Sequence, residues 1–137
     1  MVLRILLAVF LTPLFAQAMW IDFAPEELLK ETDYVVIASL SDVKKWTRHN
    51  TDFGRGTLNV TEVLSKNALP KSPLILTWAN PSNIICPRTE HGDTKGQAYI
   101  WLLQTGRDGT VTANHPGQTL SLKEKKKIQK LIKKQKL

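Results

Sequence analysis

Cys86, His91 and His115 are the side chains of this sequence with the widest chemical range. Thiolate and imidazole together form a zinc or copper donor set, which Glu90 or Asp93 could complete. The spacing of Cys86 and His91 fits no standard zinc knuckle, and His115 is remote in sequence, so no resident metal and no other cofactor is expected. Cys86 with His91 also has the makings of a nucleophile–base pair. That use requires a depressed thiol pKa and a third group to orient the base. Ile84 and Ile85 precede Cys86 and favour a thiol packed as a small hydrophobe. No acid pair, catalytic triad or phosphate loop stands out, so the chain does not read as an enzyme. Arg88, Glu90, Asp93 and Lys95 either pair across the loop and fix its shape or form a polar rim for a partner.

These residues lie in a connection, 80–96, whose Pro81, Pro87, Gly92 and Gly96 exclude a long helix. A loop of this length in a compact domain is functional or packed on itself. Pro73–Trp78 and Gln97–Gln104 read as the strands that hold its ends. Upstream, Pro25–Glu31 reads as a short helix, with proline and two glutamates in its first turn. Tyr34–Trp46 is the strongest strand pattern, apolar on both faces at its start and with room for a bulge later. Thr47–Gly56 reads as a polar hairpin tip. Thr57–Leu64 is its return strand, with a period break that predicts a bulge near Glu62. Thr110–Ala113 is a fifth short strand after the Asp108-Gly109 turn. Trp46, Trp78, Tyr99 and Trp101 read as core aromatics rather than a stacking face.

The first eighteen residues read as an export signal: Arg4, an apolar run from Ile5 to Phe15, and Ala16-Gln17-Ala18 as the cleavage site. Cleavage there leaves a chain beginning at Met19, secreted or periplasmic. The full sequence has 19 Lys and Arg against 12 Asp and Glu. From Ser121 onward there are eight lysines and one acid, Glu124, so that segment alone carries +7. The remainder after residue 18 is nearly neutral. Ser121 and Glu124 match a capping box, and Ile128, Leu131 and Ile132 recur at helical spacing. The organisation expected is therefore a signal at 1–18, a β-domain at 19–120 and a basic amphipathic helical tail at 121–137.

Glu26-Glu27-Leu28-Leu29-Lys30-Glu31-Thr32-Asp33-Tyr34-Val35-Val36-Ile37-Ala38 resembles the opening of netrin-like domains, the OB-type barrels of the tissue inhibitors of metalloproteinases. Val60-Thr61-Glu62-Val63-Leu64-Ser65-Lys66 resembles the end of their second strand. The likeness covers roughly residues 25–66 and rests on short motifs. Those inhibitors chelate zinc through an N-terminal cysteine and carry disulfides, neither of which this chain has. In style it is closest to small cysteine-poor secreted bacterial proteins of unassigned role. The resemblance implies a mainly β fold: a small five-stranded antiparallel OB-like barrel with a short N-terminal helix and a basic C-terminal helix.

The functional expectation is an exported, non-enzymatic binding module. Its protein partner would be met by Arg88, Glu90, His91 and Asp93 of the 80–96 loop and by Phe53 and Arg55 of the 47–56 tip. One alternative is an anionic-surface binder, of lipid or lipopolysaccharide, acting through Lys123, Lys125, Lys126, Lys127, Lys130, Lys133 and Lys134. Another is a metal or thiol protein centred on Cys86, with His91 and His115. Export argues against a nucleic-acid partner.

Overall fold

The computed structural model describes residues 24–70, 72–81 and 89–137. Helix α1, Pro25–Lys30, comes first. It is followed by strands β1, Tyr34–Arg48, β2, Thr51–Val63, and β3, Leu74–Pro81. A 3-10 turn at His91–Thr94 leads to β4, Ala98–Thr105, then β5, Val111–Thr112, and β6, Thr119–Leu120. Helix α2, Lys125–Gln135, ends the chain. The signal-like segment 1–18, Cys86 and Arg88 lie outside the described residues.

The strands form one sheet in the order β1-β2-β3-β5-β4-β6, and an additional β1–β4 pairing brings the sheet back on itself as a partial ring. Most pairings are antiparallel, but β3 and β5 run parallel at Leu76–Val111 and Thr77–Thr112. The expectation of five strands, all antiparallel, is corrected on both counts. The sixth strand pairs only Thr119 and Leu120 with β4, too short a run to show periodicity.

Period-two alternation on β1 divides the apolar residues between two cores. Val36, Ala38 and Leu40 point into the ring, where they meet Leu58, Leu74, Leu76, Trp78, Trp101, Leu103, Val111 and Ala113. Val35 and Ile37 point outward, where they join Ile100 and Leu102 of β4 with Leu29, Ile128 and Ile132 of the helices. This is why the run Tyr34–Ala38 is apolar on both faces. Within residues 121–137 the apolar stripe of the helix is accordingly part of the second core: Ile128 is fully buried and Ile132 is 6% exposed. Ser121 caps a 3-10 turn, accepting from Lys123 N at 3.3 Å, and α2 begins only after that turn. The expected capping box is therefore not the start of the helix. A reciprocal one occurs at His115 and Gln118 instead, where each side chain accepts a backbone N–H from the other's segment.

The polar tip expected at 47–56 is mostly strand. Only His49 and Asn50 turn, both with positive φ (49° and 57°), as a type I′ hairpin requires. Gly54 and Gly56 are strand residues whose missing β-carbons make room. A β-carbon on Gly54 would overlap the Trp78 indole, and one on Gly56 would come within 2.6 Å of Leu40 Cδ1. The β1–β2 register shifts twice. One shift leaves Thr61 unpaired beside Glu62, the bulge anticipated there. The other sits at Asp42, with φ 53°.

Candidate functional site

The residues singled out in the 80–96 loop separate into three environments. Thr89 anchors the segment that re-enters the described structure. Its N–H donates to Asn80 Oδ1 at 2.8 Å, its carbonyl accepts from Asn80 Nδ2, and its hydroxyl donates to Asn114 O at 2.8 Å. Asn114 in turn accepts from Ala79 N at 2.9 Å. This amide network ties the loop to the end of β3 and to the chain leaving β5.

His91 follows directly and is buried, at 3% exposure. Its ring lies edge-on between Trp78 and Trp101, with centroids 5.3 and 5.0 Å away. Nε2 is 2.7 Å from Ala113 O, and Nδ1 is 3.2 Å from Thr119 Oγ1. A carbonyl only accepts, so Nε2 carries the proton and donates, and the Thr119 hydroxyl donates to Nδ1. Burial lowers the pKa to about 4, against smaller upward pulls from the Ala113 bond and the Glu90 carboxylate. The imidazole is neutral at pH 7 with both nitrogens engaged. The partner contact expected of His91 therefore meets a ring that does not reach the surface and whose two nitrogens are both engaged.

His115 is half-buried and structural. Its Nδ1 accepts from Gly117 N at 2.9 Å, and its N–H donates to Gln118 Oε1 at 2.9 Å. Among the described residues no three of His, Cys, Asp and Glu converge on a point. Asp93 is exposed in the 3-10 turn. Glu90 accepts from Lys45 Nζ at 2.9 Å, which joins the loop to β1. This contact brings the expected loop and hairpin tip onto one surface.

That surface is built around an aromatic pair. Trp46 and Phe53 are cross-strand partners on β1 and β2. Their rings stack at 5.6 Å and 16°, and Trp46 is 44% exposed. Trp78 and Trp101 lie in the core, as expected from their apolar neighbours; Trp46 does not. A small cavity of about 260 Å³ opens between this pair, Lys45, Asp52, Asn80 and Glu90.

Phe53 also lines a much larger groove of about 1230 Å³. Its floor is the outward face of β2 and β3, where Arg55 pairs with Thr77 in the ladder and Ile75 lies beside them. The Thr105–Thr110 turn forms the far wall and contributes Arg107 and Asp108. Trp46, Ile75, Thr77 and Arg107 were not anticipated as site residues. Only the outward phase of Thr77 on its strand could have indicated it.

Neither the protein-family models nor the curated proteins contain a match to this chain.

Proposed function

We propose that this chain is a non-enzymatic binding module on an OB-type barrel of the netrin-like kind, and that it holds a segment of a protein partner. The strand order, with the β1–β4 pairing that brings the sheet back on itself, supports the barrel reading. The observation that carries the function is the Trp46–Phe53 stack, in which Trp46 is exposed and half-buried Phe53 lines an open groove whose floor presents Arg55. Tryptophan and arginine dominate the energetics of protein contacts when the partner desolvates them. Lys45–Glu90 adds the 89–94 loop to the same face. With the first eighteen residues read as an export signal, the proposed partner is a secreted or periplasmic protein.

The test is affinity capture from that compartment with the immobilised full chain, beside Trp46→Ala and Arg55→Glu variants. A partner retained by the wild type should be lost by both. Both positions are exposed, so the variants should melt as the wild type does. Equal retention by all three proteins would sink the proposal.

A further inference from the structure

We propose that the outer face of α2 is a docking surface for an anionic lipid bilayer. Ile128 and Ile132 are buried against β1 and β4, and Gln135 Nε2 donates to Glu26 O at 3.2 Å. These contacts fix the rotation of the helix about its axis. With about 3.6 residues per turn, that rotation turns Lys126, Lys127, Lys130, Lys133 and Lys134 outward. All five are exposed. Among the described residues the ion pair made by this helix is Lys125 to Glu62, at 2.8 Å. Among the described residues none of the five outward lysines has an acidic partner.

The chemistry of this face selects a diffuse negative plane. Lysine ammonium groups are point charges on flexible stems, without the fork that reads a single phosphate or base edge. The helix carries no arginine and no aromatic residue, the groups that grip nucleic-acid bases and stack on them. Leu122, 44% exposed one turn before Lys126, offers an aliphatic contact that suits lipid and has no use on a hydrophilic polyanion. The apolar stripe of α2 is already spent on the core, so the contact is peripheral. No helix among the described residues is long and apolar enough to cross a membrane. The face lies over β1 and β4, away from the β2–β3 groove. Docking and partner capture are therefore separate properties.

Sedimentation of the full chain with vesicles tests this directly. Phosphatidylcholine vesicles, with and without phosphatidylserine, are compared at low and at physiological salt. Each lysine near such a surface is worth roughly a fivefold change in affinity. Lys126→Gln, Lys130→Gln and Lys133→Gln combined should weaken binding to the anionic vesicles on the order of 100-fold. A Lys44→Gln, Lys95→Gln control should bind as the wild type. The matching triple Lys→Arg variant should also retain binding. Raising salt should weaken all of them, because a Debye length is about 8 Å at physiological ionic strength. Equal binding to both vesicle types, unchanged binding of the glutamine triple, or loss in the arginine triple overturns the proposal. So does a duplex DNA that displaces the protein from anionic vesicles at equal phosphate concentration.

Discussion

An imidazole buried between two tryptophans makes stability depend on pH with a definite sign. The His91 pKa is about 4 in the folded chain, against an ordinary value of 6.5 when unfolded. Between those values the unfolded chain binds the extra proton, so acid favours unfolding. The contribution is fully present above pH 6.5, is lost as pH falls toward 4, and is constant below that. A shift of this size corresponds to about 3 kcal/mol. Urea titrations from pH 7 to pH 4 should show this loss in the wild type and not in His91→Gln, after the shared carboxylate background is subtracted. Parallel curves for the two proteins would contradict a neutral buried ring. Gly54 is the second residue whose identity follows from Trp78. Gly54→Ala places a methyl into the indole and should cost about 1–3 kcal/mol, the usual penalty of overpacking, read as a lower urea midpoint at unchanged slope.

At the scale of elements, the β1–β2 hairpin turns on two residues in left-handed conformation. Asparagine tolerates that conformation and a β-branched residue does not. Asn50→Val should destabilise by about 1–2 kcal/mol, and Asn50→Gly should be neutral or slightly stabilising, both measurable by thermal melts. This hairpin also shows how far the amino-acid pattern is legible. Tyr34–Ala38 is apolar on both faces, and the structure buries both. The period break near Glu62 marks a real bulge. But Gly54 and Gly56 read locally as loop residues, while their reason is long-range: the ring interior has no space for a β-carbon opposite Trp78 and Leu40. The same limit applied to His91. Its neighbours Glu90, Gly92 and Asp93 look like surface, and the two tryptophans that enclose it arrive from other strands. Eight lysines likewise mask the fact that Ile128 and Ile132 are core residues. The Trp46–Phe53 pair was half legible, because Phe53 was singled out and its partner was assigned to the core.

For the whole molecule, the consequence of the partial ring is that its two cores share their wall. β1 and β4 send alternate side chains inward to Trp78 and Trp101 and outward to the helices. Neither set can be lost while those two strands stay paired and packed. Unfolding should therefore be a single transition, with tryptophan fluorescence reporting the ring and circular dichroism weighted toward helix giving the same midpoint. Ile128→Ala tests this at a distance. It removes buried methyl groups from the helix side, where no tryptophan among the described residues belongs to the core, at a cost of about 2–5 kcal/mol. In a shared-wall fold that cost moves the fluorescence midpoint as far as the dichroism midpoint. Removal of residues 121–137 should go further and abolish the cooperative transition, since it strips Ile128 and Ile132 from the outward face of β1 and β4. A truncated chain that kept a sharp tryptophan transition would show that the ring stands alone and that the helix is only laid upon it.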